Sequence, residues 1–347
     1  MTLEDTVPTP RDDGGNGDAL AKDAQSRRRI TDLIEDIKQS ADRLASDQTS
    51  RGDLKLLSRA LRELRYAFKV FAPFRWRRKV TVFGSARTRP HEPAYEQAVR
   101  FGKAMAALEW YVVTGASSGI MEAGHVGAGR DNSMGLNIML PFEQSANTVI
   151  AGDRKLVNMK YFFTRKLMFV KECDAVVCFP GGFGTLDEAF EVLTLLQTGK
   201  RDMVPLVLAD ALGGQYWKPL DDFIRGTLLA HGMISPEDTS LYRVTSDLDQ
   251  TVGEVTGFYR VYHSMRYVKR NLVMRLQEPL SDALLEAINA SFSDVLQEGQ
   301  FTQRGALSDE KDEPELAELP RLVFHFNRRS LGRLRQLINA INAGAVE

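Results

Sequence analysis

The chain has 347 residues, 45 Lys+Arg against 46 Asp+Glu for a formal net charge of −1, and 43% hydrophobic residues. That content supports a real core and excludes a disordered polyelectrolyte. Without a net positive field, any anion must be held by local groups, so neither nucleic acid nor an anionic membrane is an expected partner.

The two cysteines, Cys173 and Cys178, lie near or within one apolar run, with neither disulfide nor metal spacing. They read as inert buried thiols in a reducing compartment. Residues 1–25 hold acids, Gly and Pro but no apolar leader core, and no later run approaches the ~18 apolar residues of a membrane span. A soluble, cytoplasmic protein is expected.

In chain order, residues 1–25 offer too little apolar surface to offset the entropy of ordering and read as a disordered tail. Residues 26–78 form a helical extension: Ile30, Leu33, Ile34 and Ile37, then Leu57, Leu61, Leu64, Phe68 and Phe71, recur at helical spacing and predict two helices packed on the main domain. The basic run Arg75, Arg77, Arg78, Lys79 reads as a solvated junction before a buried strand.

From 79 to 267, short β-rich runs alternate with helical ones. Strands are predicted at Lys79–Phe83, Trp110–Thr114, Leu136–Leu140, Ala175–Phe179, Val204–Leu208 and Tyr242–Val244. Helices are predicted at Tyr95–Leu108, Ile120–Gly129, Asp153–Lys171, Leu186–Gln197, Trp217–Ala230 and Leu248–Met265. Runs such as VTVF and AVVCF are apolar at consecutive positions, as in strands covered on both faces, so the fold class is α/β with a parallel, doubly wound sheet. Residues 268–347 read as a small α+β module: a strand in KRNLVMRL, a helix from Ser281, an acidic linker Ser308–Glu318, a strand in RLVFHFN and a closing helix from Ser330.

In such a sheet, ligands bind at the carboxyl ends of strands. Three loops there are rich in Gly, Ser or Thr: Gly84-Ser85-Ala86, Thr114 to Gly119, and Pro180-Gly181-Gly182-Phe183-Gly184-Thr185. The last leads straight from a strand into a helix, where bare backbone N–H groups and the helix dipole attract phosphate. Its alternative is a tight turn with Thr185 as N-cap. Glu188 is likewise open between two roles, a carboxylate beside the phosphate loop or the closing member of a Thr185–Glu188 capping box. An isolated helical Arg such as Arg165 is usually a surface cation. The first strand lacks G-x-G-x-x-G, and Gly199-Lys200 lacks the P-loop glycine five residues earlier, which disfavours dinucleotide redox enzymes and ATPases.

In combination, Arg165-Lys166 followed by Pro180-Gly-Gly-Phe-Gly-Thr-Leu-Asp-Glu188 resembles the paired signature of the LONELY GUY family of phosphoribohydrolases. Gly119-Ile-Met-Glu-Ala123 and Gly135 to Gln144 are similar to its longer bacterial members. The likeness spans about residues 79–245. It implies a Rossmann-like sheet, a homodimer or larger assembly with the site near a subunit interface, and hydrolysis of a nucleoside 5′-monophosphate, AMP or a modified adenine nucleotide, to free base and ribose 5-phosphate.

Carried over by position, Arg165 and Glu188 would be catalytic. Gly181, Gly182, Gly184 and Thr185 would hold phosphate, with Ser85, Gly115, Ser117, Ser118 and Gly119 as further phosphate or ribose contacts and Lys166, Met121 and Glu122 near the substrate. The loop Gly-Ala-Ser-Ser-Gly departs from the glycine run of many members and bears on Ser117 and Ser118. The lysine decarboxylase label often given to the family would need a Schiff-base lysine, and no Ser-x-His-Lys segment occurs. Neither cofactor nor metal is expected. A nucleotide-binding or carrier protein without turnover is the competing class.

Cleavage passes through an oxocarbenium-like state with charge moving onto the base. Near a helix N-terminus and Arg165, Glu188 is expected to stay ionised and orient water, which leaves the acid that protonates the base unidentified. Arg165 is expected to divide its fork of donors between phosphate and leaving base.

Overall fold

The computed structural model describes residues 16–140 and 145–346, with side chains from Ile30 onward. The expected tail at 1–15 and the end of the Gly135–Gln144 run, residues 141–144, lie outside the described residues. The chain divides into two compact units after Arg59.

The first unit carries helix α1 (Asn16–Ser46) and the start of α2 (Arg51–Phe71). Residues 16–25, expected to belong to a disordered tail, are the beginning of α1. Ile30, Leu33, Ile34 and Ile37 are exposed.

The second unit begins at Ala60. After α2 come β1 (Lys79–Phe83), α3 (Pro93–Ala107), β2 (Tyr111–Thr114), α4 (Ile120–Ala128), β3 (Ser133–Ile138), β4 (Leu156–Met159), α5 (Phe162–Glu172), β5 (Ala175–Cys178), α6 (Phe183–Gln197), β6 (Leu206–Ala209), α7 (Lys218–Phe223), β7 (Arg243–Thr245) and α8 (Leu248–Gly257). The seven strands form one parallel sheet in the order β4-β3-β2-β1-β5-β6-β7. This is the expected α/β, doubly wound, Rossmann-like sheet.

Every residue of β1, β5 and β6 is buried, because alternate side chains enter two cores. Val80, Val82, Ala175 and Val177 pack with Phe101 and Ile120 on one face, while Phe83, Val176 and Cys178 pack with Met168, Phe169 and Val192 on the other. The order reverses between β1 and β5, and their carboxyl ends open the crevice where doubly wound sheets take ligands.

Two elements read as continuous helices are split. Asp153–Lys171 contains β4, whose Gly135↔Leu156 to Ile138↔Met159 pairing with β3 closes one sheet edge. Its four residues are too short to show a strand period beside a longer helix, so the tertiary pairing decides. Leu248–Met265 ends as a helix at Gly257, and Tyr262–Val268 is strand β8.

A second, antiparallel sheet has the order β10-β11-β9-β8, formed by β8, β9 (Asn271–Leu276), β10 (Leu296–Arg304) and β11 (Arg321–Phe326), with α9 (Asp282–Ser291) and α10 (Leu331–Ala343). Strand β10 was not read from the sequence. It is a polar edge strand, largely exposed and interrupted by register shifts, so it carries no apolar alternation. The acidic segment is a strap rather than a spacer: buried Glu310 accepts hydrogen bonds from Arg275 and Arg321. Phe301, Phe324 and Leu334 join the core that holds Phe83 and Phe169.

Both cysteines are buried and free. Among the described residues, no helix is long and apolar enough to cross a membrane.

Candidate active site

The loop after β5 is Pro180-Gly181-Gly182, and α6 starts at Phe183 with Gly182 as its N-cap. This start is earlier than the Leu186 expected from the sequence, where Thr185 reads as a possible N-cap. The N–H groups of Thr185 and Leu186 both donate to the Gly182 carbonyl, at 3.0 and 3.1 Å. Thr185 is therefore inside the helix rather than its cap. Glu188 falls on the second turn, so the capping-box reading fails. With no side chain capping α6, its first N–H groups are available to an anion.

Ser85 stitches the loops together: its N–H donates to the Pro180 carbonyl at 3.0 Å, and its carbonyl accepts from Ile120 N at 3.0 Å. This close approach explains Gly119, which has φ +68° and where a Cβ would sit 2.2 Å from the Ser85 carbonyl oxygen. Gly181 has the same logic, since a Cβ there would lie 2.2 Å from Thr185 Oγ1 and 2.9 Å from Ser85 N. Gly182 and Gly184 face open space.

A cleft of about 690 Å³ opens at this point, walled by Gly84, Ser85, Met121, Arg165, Gly181, Gly182, Gly184, Thr185 and Glu188, with Arg87, Phe162, Asp187 and Tyr216 among the other lining residues. The structure thus assembles most of the expected site. Gly115 lies just behind it, where a Cβ would be 2.7 Å from Met121 Sδ and 3.7 Å from Arg165 Nη2.

Besides Gly115, five expected residues do not line the cleft. Gly119 supports the Ser85 turn. Ser118 Oγ donates to the Ala86 carbonyl at 2.9 Å, and the Ser117 carbonyl accepts from Asn147 Nδ2 at 3.1 Å. Glu122 acts on Tyr95, whose hydroxyl pKa is raised by burial and then by that carboxylate. Lys166 is engaged by Asp187 at 2.8 Å and Glu191 at 2.7 Å.

Helices α5 and α6 bring Arg165 and Glu188 to one wall. Helix α5 is placed by buried Glu63 of α2, which accepts from Lys160 N and Thr164 Oγ1, both at 2.9 Å. The Arg165 guanidinium lies 5.3 Å from the Phe169 ring centroid and 5.6 Å from that of Phe162, and its buried Nε has no hydrogen-bond partner among the described residues.

Glu188 is 4% exposed. Burial pushes its pKa up to about 7; Lys166 and Arg165 pull it down, and Glu191 and Asp187 add to the rise. The expectation that Glu188 stays fully ionised is therefore overturned. The sequence showed the nearby cations and the helix end but not the loss of water around the carboxyl, which outweighs them. Burial also lowers the pKa of Arg165, with Glu188 opposing, yet a guanidinium remains a cation.

Sequence reasoning missed Tyr216 and the support behind the second loop. Tyr216 follows β6, so the same carboxyl-end rule pointed to its loop. Buried His125 lies 3.1 Å from Thr114 Oγ1 and 3.0 Å from the Met134 carbonyl, and Thr114 Oγ1 accepts from Ala116 N at 3.0 Å. Burial lowers His125 to about 4, so it holds the loop as a neutral imidazole.

A larger cleft, about 830 Å³, is lined by residues at the amino ends of strands, such as Arg78 and Asp174, and by the acidic strap. Its Arg78, Arg266 and Arg275 are already paired with Asp174, Asp312 and Glu313. It contains neither glycine loop nor Glu188, so the smaller cleft is the chemical candidate. Among the described residues no group of three or more His, Cys, Asp or Glu is arranged to hold a metal.

The sheet, its switch-point crevice and the glycine loop define a Rossmann-like α/β protein with a candidate site at the carboxyl ends of β1 and β5. A family model described as "Possible lysine decarboxylase" matches residues 115–255. The chain is 31% identical over 164 residues to a probable cytokinin riboside 5′-monophosphate phosphoribohydrolase, LOGL2, of Oryza sativa subsp. japonica, covering 46% of this chain and 64% of that one. It is 37% identical over 98 residues to cytokinin riboside 5′-monophosphate phosphoribohydrolase LOG1 of Arabidopsis thaliana, covering 28% and 42%. The chain thus spans less than two thirds of these relatives' length. A solved molybdenum cofactor carrier protein from Chlamydomonas reinhardtii aligns over 51% of this chain and 94% of its own, at 19% identity and a TM-score of 0.36. The likeness to the LONELY GUY family, read from Arg165-Lys166 and Pro180–Glu188, is borne out by the family and relative matches.

Proposed function

We propose that this chain hydrolyses the N-glycosidic bond of a nucleoside 5′-monophosphate, AMP or a modified adenine nucleotide, releasing free base and ribose 5-phosphate. The observation that carries this reading is Glu188, a buried carboxyl with a pKa of about 7, in the same cleft as the uncapped start of α6 and Arg165.

The 5′-phosphate rests on the N–H groups of residues 182–184 at the start of α6, and the anomeric carbon faces Glu188. Water oxygen bonds to that carbon while the bond to the base breaks, its electron pair leaving with the base. A carboxyl titrating near neutrality can take the proton that water releases and return one to the base, so the acid missing from the sequence argument need not be a separate residue. Arg165 offers its fork of donors to phosphate or leaving base.

The relatives named above as phosphoribohydrolases support the same reaction. On α5 and α6, Phe162, Phe163, Leu167, Phe183 and Phe190 are exposed, and Phe162 and Phe183 also line the cleft. An apolar patch of this kind fits a second copy of the chain, and sedimentation of the purified protein tests that assembly.

The test of function is release of adenine and ribose 5-phosphate from AMP, compared with adenosine. Remote phosphate binding stabilises the transition state, so AMP is expected to be cleaved much the faster. Equal rates would refute the phosphate role of the loop. Tight nucleotide binding without adenine release would instead establish the carrier class.

A further inference from the structure

The segment between β6 and α7 is built around Asp210. Its Oδ1 accepts the Ala211 N–H at 2.8 Å, its Oδ2 accepts the Tyr216 N–H at 2.5 Å, and its backbone N–H is held by the Thr245 carbonyl at 2.9 Å. Next in the chain, fully buried Trp217 donates Nε1–H to the Ala209 carbonyl at 3.0 Å, and the Tyr216 ring stands edge-on to it at 5.0 Å. The backbone of Tyr216 is therefore fixed at both ends.

Its side chain is not core: 47% of Tyr216 is exposed, on the wall of the cleft. From there the hydroxyl donates to the carbonyl of Gly181. Gly181 is the first glycine of the loop read as the phosphate cradle. A trans peptide is planar, so its C=O and the following N–H point in opposite directions. Holding the Gly181 carbonyl toward Tyr216 fixes the direction of the Gly182 N–H. Neither Gly181 nor Gly182 has a side chain to resist rotation of that peptide.

We propose that Tyr216 is a positioning residue that locks the Gly181–Gly182 peptide in the orientation that receives a phosphate. This inference rests on the reading of the loop as a phosphate site. It assigns the β6–α7 loop a share in recognising the phosphorylated end of the substrate, although Tyr216 is neither the acid–base group nor a residue of the glycine loop.

The experiment compares the full chain with Tyr216→Phe, which removes only the hydroxyl. Ribose 5-phosphate binding is measured by calorimetry, KM and kcat are measured on AMP and on adenosine, and melting temperature controls for folding. Loss of one orienting hydrogen bond is expected to weaken ribose 5-phosphate affinity and raise KM for AMP about three- to tenfold. Adenosine cleavage and the melting temperature should not change.

Unchanged ribose 5-phosphate affinity would overturn the positioning role. So would equal losses on AMP and adenosine, or a lower melting temperature, since those mark general structural damage. Binding without AMP cleavage by the wild-type chain would refute the hydrolase reading alone, and the affinity comparison would still decide the role of Tyr216. A wild-type chain that fails to bind ribose 5-phosphate would overturn both.

Discussion

Replacing Glu188 with Gln separates chemistry from stability, because the structure makes the two move in opposite directions. Burial lifts the carboxyl from an ordinary 4.5 to about 7. Between those values the folded protein holds a proton that the unfolded chain has released, so folding stability falls as pH rises through that window. A difference of about 2.5 units at 1.36 kcal/mol each corresponds to roughly 3 kcal/mol, fully lost above the folded pKa and absent as a penalty below 4.5.

Gln reproduces the neutral carboxyl in size and polarity. Glu188→Gln is therefore expected to be more stable than the wild type at pH 8, by up to about 3 kcal/mol, and nearly equal to it at pH 4. Its turnover of AMP should fall by about a hundredfold or more, as for removal of a general acid–base group. The assays are denaturant unfolding at the two pH values and initial rates of adenine release. Retained turnover would reduce Glu188 to a structural residue, and a variant less stable than wild type at pH 8 would refute the argument that burial raises its pKa.

Two further perturbations bear on the surroundings of Glu188. Arg165→Lys keeps the charge but loses the planar fork; kcat/KM on AMP is expected to drop about tenfold or more, as for loss of a charged hydrogen bond, and near-full activity would show that Arg165 serves only as a charge. Gly119→Ala puts a Cβ 2.2 Å from the Ser85 carbonyl oxygen at φ +68°, so stability should fall by about 2 kcal/mol or more, and an unchanged unfolding midpoint would show that the Ser85 turn relaxes freely.

The alternation of apolar strand runs with helical periods was legible in the sequence, and it led to the parallel sheet. It could do so because β1, β5 and β6 are buried on both faces, and such strands are written as unbroken apolar runs. Strands β4 and β10 left no such mark. Each lies at a sheet edge, where pairing with one neighbour supplies most of the strand's definition and side chains need not alternate.

The same division runs through the site. Residue type and order in the chain marked Arg165, the glycines and Glu188, since bare backbone N–H groups, a cation and a carboxylate are local properties of named residues. Whether Thr185 caps a helix or lies inside it depended on where α6 begins, after a loop that Ser85, beyond the end of β1, ties down through the Pro180 carbonyl. The sequence by itself therefore determined the chemical groups available and the strand ends that carry them. Only the tertiary structure decided that Glu188 is stripped of water and titrates near neutrality, that Ser117 and Ser118 do not line the cleft, and that Tyr216 holds the Gly181 carbonyl. Burial and long-range hydrogen bonds are properties of the packed chain, and residues 35 positions apart, as Gly181 and Tyr216 are, carry no local signal of their meeting.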